Sequence, residues 1–339
     1  MPLMMFVLNV VVVVIIFVGG LQAEAQAMMP GDIMAAITYV TQILMSIMMV
    51  SGIFQMLSRA SASADRIREI LETEPTVVGG SFEGIRRPGD VKFENVSFRY
   101  PNASENLVLK NVNFEVKPGE TVAIIGATGS GKTSLVNLID RFYDVTDGHV
   151  LLDGKDVREY DLEALRGRIG FVLQKSELFS GTIEDNIRWG NPQATEEEVV
   201  KAAKIAQADE YIQGFKDGYQ TVIGEKGASL SGGQKQRLSI ARAIAKKPDV
   251  LIFDDSTSAL DFSTEARLHQ ALRENLSETT VIVIAQRVAS IMHADRILVL
   301  DNNTVAASGT HEELLKTSPV YQDIYQSQMK AGDHDGSAE

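Results

Sequence analysis

The chain opens with two long apolar runs and continues with short apolar runs that alternate with amphipathic stretches. The run 3–21 contains one polar side chain, Asn9. As a helix it would be about 28 Å long, enough to cross the hydrocarbon core of a bilayer. The second run, 33–57, contains no charged residue. The pattern predicts two membrane-spanning helices joined by a short polar turn.

A cleavable signal sequence is the alternative explanation for the first run. Its apolar core is followed by small residues over Gln22–Ala27, a composition that suits a cleavage site. No basic residue precedes the core, however, and a second apolar run follows closely. Two membrane spans therefore account better for this part of the chain.

Basic residues set the expected orientation of the spans. None of the 32 Lys and Arg residues precedes Arg59, and Arg66 and Arg68 follow it closely. Because basic residues next to a span favour the cytoplasmic side, we expect everything after the second span to be cytoplasmic. Two helices are too few to enclose a path for a solute, so either partner chains supply more helices or the chain is part of a longer protein.

The same patterns predict the domain organisation. We expect a partial transmembrane domain with a helical cytoplasmic extension (1–75), a linker (76–90), an α/β domain (91–328) and a disordered acidic tail (329–339). The net charge of −13 argues against nucleic acid as a partner, because backbone phosphates require a basic surface. The absence of cysteine excludes disulfides and thiol catalysis.

A phosphate-binding motif follows the apolar strand Thr121–Ile125. Residues 126–133 match G-x-x-x-x-G-K-[ST], and a helical pattern comes next. In such a loop, backbone N–H groups converge on phosphate oxygens, Lys132 reaches the terminal phosphates and the Thr133 hydroxyl binds Mg²⁺. The predicted nucleotide-binding residues here are Gly126, Thr128, Gly129, Ser130, Gly131, Lys132, Thr133 and Ser134.

A second apolar strand, Val250–Asp254, ends in a carboxylate. Standing alone, this residue would more simply be the polar end of a strand. Beside an intact phosphate loop, Asp254 is better explained as the carboxylate on the magnesium side of the site.

Between these two motifs lies Leu-Ser-Gly-Gly-Gln at 230–234, and with it the chain resembles the ATP-binding cassette (ABC) family. The resemblance implies an α/β P-loop NTPase fold with a β-subdomain and a helical subdomain, preceded here by two transmembrane helices. It also implies ATP and Mg²⁺ as cofactors. In the family, two cassettes enclose two nucleotides between them, so Ser231, Gly233 and Gln234 would contact the ATP of the opposite cassette.

Other cassette elements are carried over by the same resemblance. Tyr100 resembles the aromatic residue that stacks on adenine, although an aromatic residue at a strand end more often serves packing. Gln174 resembles the glutamine that contacts Mg²⁺ and links the site to the membrane part. The segments 178–183 and 224–227 resemble the forms found in exporters, and the two apolar runs resemble the last two of an exporter's six transmembrane helices.

Two positions depart from the family pattern. Asp255 stands where the family usually has the glutamate that acts as catalytic base, and Gln286 stands where it usually has histidine. The aspartate is shorter by one carbon–carbon bond, about 1.5 Å, and an amide cannot titrate. With an intact signature at 230–234, this combination resembles the subunit of a heterodimeric exporter whose own nucleotide site hydrolyses slowly.

The resemblance implies an exporter ATPase of the plasma membrane, multi-pass, with a cytoplasmic nucleotide-binding domain and a second exporter subunit as its partner. A heterodimer is favoured over a homodimer. The cargo would be of a drug, small-molecule, lipid or peptide class, and the sequence does not identify it. The alternatives are a regulatory subunit that binds ATP with little turnover and a soluble ABC ATPase.

Overall fold

The fold is described from a computed structural model, which describes residues 2–84, 89–101 and 106–335. The chain divides into two compact units, Met1–Thr76 and Val77–Glu339. Part of the linker expected over 76–90 and the last four residues of the expected tail lie outside the described residues.

The first unit consists of two helices, α1 (Pro2–Glu24) and α2 (Pro30–Glu72). Both are long and apolar enough to cross a membrane. They pack closely at Gly19, where an added Cβ would lie 2.9 Å from Ile33 Cγ1. Hydroxyl groups within α2, such as those of Thr38 and Thr41, donate to carbonyl oxygens one turn earlier, so they need no partner from outside the helix. The helix runs without interruption through the expected cytoplasmic extension.

The second unit is an α/β domain, as predicted. Its elements in chain order are β1 (Val91–Phe98), β2 (Leu109–Val116), β3 (Thr121–Gly126), α3 (Lys132–Ile139), β4 (Asp147–Leu152), β5 (Lys155–Asp156), α4 (Leu162–Gly167), β6 (Ile169–Val172), β7 (Gly181–Thr182), α5 (Ile183–Arg188), α6 (Glu196–Ile205), α7 (Asp209–Gln213), β8 (Val222–Ile223), α8 (Gly232–Ala245), β9 (Val250–Asp254), α9 (Phe262–Asn275), β10 (Thr280–Ile284), β11 (Arg296–Asp301), β12 (Thr304–Gly309), α10 (His311–Thr317) and α11 (Pro319–Asp335).

Two larger sheets organise this unit. An antiparallel sheet has the order β2-β1-β4-β5, and a six-stranded sheet has the order β12-β11-β3-β10-β9-β6. In the larger sheet β3, β6, β9, β10 and β11 are parallel, and β12 pairs antiparallel at one edge. The buried strands are almost wholly apolar, as expected for parallel strands that are covered on both faces.

The register of the central strands determines where the site forms. Ile284 at the end of β10 is paired with Ile124 of β3 on one side and with Asp254 of β9 on the other. The loops that follow β3, β9 and β10 therefore leave the sheet at the same edge. Ligands of open α/β sheets bind at this carboxyl edge.

The described part of the chain ends in helix α11. Helix α11 reaches Asp335 and so overlaps the first residues of the tail expected over 329–339, whose disorder stays a prediction. No proline interrupts the helix after Pro319, which stands at its first position, a place where proline is favourable. Residues 336–339 lie outside the described part of the chain.

Candidate functional site

The phosphate loop connects β3 to α3 with a backbone that requires glycine. Gly129 and Gly131 have φ of +84° and +95°, in the left-handed region that residues with a Cβ disfavour. A Cβ at Gly126 would lie 2.2 Å from the carbonyl oxygen of Leu300 on β11. Thr128 is exposed at the tip, and Ser130 is buried. The backbone of the loop therefore leads directly into the N-terminus of α3, where the free N–H groups of the helix favour anion binding.

Lys132, the first residue of α3, folds back over the loop. Its Nζ donates to the carbonyl oxygens of Gly126 and Ala127, both at 2.9 Å. Burial lowers the pKa of this ammonium, while the carboxylates of Asp255 and Asp254 act in the opposite direction. The structure thus places one cation between the phosphate loop and two acidic side chains.

Thr133 and Asp254 form the next contact. Thr133 Oγ1 donates to Asp254 Oδ1 at 2.9 Å, and Asp254 is only 5% exposed. Burial raises the pKa of Asp254, and the hydrogen bond from Thr133 lowers it. A hydroxyl and a carboxylate oxygen in contact are ligands that Mg²⁺ prefers, with phosphate and water oxygens completing the set. The residues present fit that ion, although the described residues contain no cluster of three or more His, Asp or Glu ligands.

Asp255 is held by two amides. Its Oδ2 accepts hydrogen bonds from Gln174 Nε2 at 2.8 Å and from Gln286 Nε2 at 2.5 Å. The residue is 7% exposed, and its φ is +49°. Burial raises the pKa of this carboxyl, while the two amide hydrogen bonds lower it. The structure therefore brings together Gln174, Asp255 and Gln286, which were predicted from separate segments of the sequence.

Tyr100 lies beside the first turn of α3. Its hydroxyl oxygen is 2.8 Å from Ser134 Oγ, and its ring packs edge-to-face on Phe98 and Tyr143 at centroid distances of 4.8 and 5.0 Å. These contacts give the ring a packing role and position it next to the predicted nucleotide-binding residues. Its stacking on adenine stays a prediction.

The signature residues occupy the start of α8. Ser231 Oγ accepts from Gln234 N at 3.3 Å, and Gln234 Oε1 accepts from Ser231 N at 2.9 Å, which is a capping box. Gly233 lies close to the segment after β9, since a Cβ there would be 3.2 Å from Ala259 O. Among the described residues, no hydrogen bond joins Ser231, Gly233 or Gln234 to the phosphate loop.

Sequence reasoning missed Gln236. This residue of α8 is 3% exposed, its Oε1 contacts the Ser176 hydroxyl, and its Nε2 donates to Leu173 O at 3.4 Å. It therefore ties the helix after the signature to the segment that carries Gln174. No sequence pattern indicates this role, because a glutamine between Lys235 and Arg237 is typical of a solvent-exposed helix face.

Comparison with known proteins agrees with this geometry. Residues 109–258 match the ABC transporter family. An uncharacterised ABC transporter ATP-binding protein of Bacillus subtilis, YfiB, is 44% identical over 97% of this chain. A putative multidrug export ATP-binding/permease protein of the same organism, YgaD, is 45% identical over 79% of this chain. The chain spans 57% of the length of YfiB and 47% of that of YgaD.

A solved structure gives the same result for the fold. A bacterial Atm1-family ABC exporter with ATP bound is 35% identical in sequence, with a TM-score of 0.75. The likeness covers 89% of this chain and 53% of that one. The matched family segment includes the phosphate loop, Gln174, the signature and the pair Asp254 and Asp255. The chain therefore contains an ATP-binding domain of the ABC transporter family and is homologous to ABC exporters.

Proposed function

We propose that this chain is the ATP-binding component of an ABC exporter and couples ATP binding and hydrolysis to the export of a solute. The ABC domain, the two apolar helices α1 and α2, and the likeness to exporters support this proposal. The cargo would belong to a drug, lipid or peptide class. The protein would lie in the plasma membrane, multi-pass, with the ABC domain in the cytoplasm and a second exporter subunit as its partner.

In this proposal the phosphate loop and Lys132 bind the phosphates of ATP, and Tyr100 takes the adenine. Thr133 and Asp254 hold Mg²⁺, which offsets phosphate charge when bound. Gln174 completes the metal site through its amide oxygen, because its Nε2 already donates to Asp255. The cation would stabilise the ionised form of Asp254, because burial disfavours a carboxylate whose charge is not compensated.

The nucleotide site at this chain's own phosphate loop is proposed to hydrolyse ATP slowly. One observation carries this point: the amides of Gln174 and Gln286 both donate to Asp255 Oδ2, so one of the two carboxylate oxygens is already engaged by two donors. A general base needs a free lone pair within hydrogen-bond reach of the attacking water. An aspartate that is also one methylene shorter than glutamate reaches the water less well.

The signature is proposed to serve a different nucleotide. The capping box orders the start of α8, so the amides and the Ser231 hydroxyl are arranged before any nucleotide arrives. The chain would then hold ATP tightly at its own phosphate loop and contribute Ser231, Gly233 and Gln234 to efficient hydrolysis at the partner's loop. A heterodimer follows from this division of roles.

Nucleotide binding and turnover of the purified full chain, alone and with a co-expressed exporter subunit, test the proposal. We expect Mg²⁺-dependent ATP binding by the chain alone, slow phosphate release, and fast release with the partner. Robust turnover by the chain alone would overturn the slow-site assignment. ATP-dependent transport into vesicles by the pair distinguishes an exporter from a regulatory subunit, in which ATP binds without transport.

A further inference from the structure

Helix α11 holds the loop after β10 through one side chain. Gln328 Oε1 accepts a hydrogen bond from the backbone N of Val288 at 2.8 Å, and Gln328 Nε2 donates to the backbone O of Gln286 at 2.7 Å. Both ends of a single amide are therefore used on the two residues that flank Arg287. A two-point contact of this kind fixes the orientation of a loop better than either bond alone.

The same loop carries the side chain that reaches Asp255. Gln286 Nε2 donates to Asp255 Oδ2 at 2.5 Å, while the Gln286 carbonyl accepts from Gln328. Residue 286 is thus held at its backbone from one side and at its side chain from the other. A continuous chain of hydrogen bonds links α11 to the acidic residue of the nucleotide site.

Helix α11 is itself well anchored. Tyr321 is fully buried, and its hydroxyl is 2.7 Å from His311 Nδ1 at the start of α10. Ile324 and Tyr325 pack against the apolar core of the domain. Gln328 therefore projects from a fixed support, so its amide can define the position of the loop.

We propose that Gln328 is a positioning residue that sets the distance between the side chain at position 286 and the carboxylate of Asp255. Through this contact α11, the last described helix, influences the geometry of the nucleotide site. The effect on ATP turnover rests on the function proposed above. The effect on the geometry of the loop after β10 is independent of that proposed function.

Hydrogen exchange of the full chain in lipid nanodiscs tests the contact first. Gln328→Ala should speed exchange of the Val288 amide about fivefold to tenfold, the loss expected for one hydrogen bond. Gln328→Glu should keep this amide protected, because a carboxylate still accepts from Val288 but cannot donate to the Gln286 carbonyl. Gln322→Ala is the matched control: Gln322 lies on the same helix and donates to Leu315 O at 2.7 Å. It should leave Val288 unchanged.

A pH titration tests the positioning itself. In a Gln286→His background, NMR of the introduced imidazole measures its pKa, which the nearby Asp255 carboxylate raises. Adding Gln328→Ala, which introduces no charge, should lower that pKa by about half a unit or more, because the ring moves away from Asp255. Lys132, Arg287 and Asp254 are the same in all of these variants. If Gln328 does not position this loop, the imidazole pKa will be the same with Gln328 and with Gln328→Ala.

Turnover gives the last measurement. In the Asp255→Glu, Gln286→His background, Gln328→Ala should lower kcat about tenfold with an unchanged KM for ATP. If that background shows no turnover, the proposed function fails, while hydrogen exchange and the titration still decide the role of Gln328. Unchanged Val288 exchange in Gln328→Ala, or an imidazole pKa that is the same with and without Gln328, overturns the inference.

Discussion

Asp255→Glu combined with Gln286→His should convert the nucleotide site, which we propose to be slow, into an active one. In the present site the carboxylate of Asp255 is withdrawn by one carbon–carbon bond, about 1.5 Å. It also accepts hydrogen bonds from Gln174 and Gln286 at the same oxygen. The double substitution extends the carboxylate and replaces one of the two amides with a group that can exchange protons.

The expected gain is about a hundredfold in kcat, because a misplacement of about 1 Å at a reacting group costs on this scale. A hundredfold corresponds to about 2.7 kcal/mol in the activation barrier. Asp255→Glu alone should give much less, since the Gln286 amide would still occupy the carboxylate. The φ of +49° at Asp255 adds a stability cost of about 0.5–1 kcal/mol for glutamate, which tolerates the left-handed region less well than aspartate.

Phosphate release by the purified full chain at saturating Mg-ATP is the assay, with ATP affinity measured in parallel. The affinity should stay within about threefold, because the phosphate loop is untouched. Adding Lys132→Ala should abolish the gain, which assigns the turnover to this chain's own phosphate loop. A double variant with unchanged kcat and normal ATP binding would refute the reasoning about Asp255 and Gln286.

Three further predictions each concern a single side chain. Thr133→Val should remove the Mg²⁺ enhancement of ATP binding, measured by titration with and without EDTA, because the hydroxyl that bonds to Asp254 is lost. Ser231→Ala should lower turnover at the partner's nucleotide about tenfold or more with unchanged ATP binding by this chain, and should destabilise α8 by about 1 kcal/mol. Asp140→Asn should raise the thermal unfolding temperature at pH 8 and not at pH 4. Burial, partly opposed by Lys246 and Arg166, raises the pKa of Asp140 to about 7, so the native state loses stability as pH rises from about 4 through 7 and the buried carboxyl ionises.

Much of the site could be predicted because its motifs are local in sequence. The phosphate loop needs glycine at fixed positions, and the left-handed φ of Gly129 and Gly131 shows the physical reason for that pattern. The ending of β9 at Asp254 followed from an apolar run that closes with a carboxylate.

Other features had no sequence signal. Asp140 lies after α3 with its Oδ1 buried and without a hydrogen-bond partner among the described residues, yet its position in the sequence is that of an ordinary polar helix end. Gln236 and Gln328 look like surface glutamines in a polar helical pattern, and both are bonded to backbone atoms of distant segments. Hydrogen bonds between remote segments leave no periodicity for a sequence pattern to reveal.

The sequence by itself determined the two apolar helices, the α/β class and the phosphate loop, because burial in lipid or in a sheet and the conformational needs of glycine act on neighbouring residues. Only the tertiary structure decided that Asp255 meets Gln174 and Gln286, which are 81 and 31 residues away. The parallel strands β6, β9 and β10 are neighbours and bring their carboxyl ends to one edge of the sheet. The residues that follow these strands therefore lie within hydrogen-bond distance of one another, although they are far apart in the sequence. The two glutamine amides therefore meet at one oxygen of Asp255, a contact that the sequence alone does not reveal.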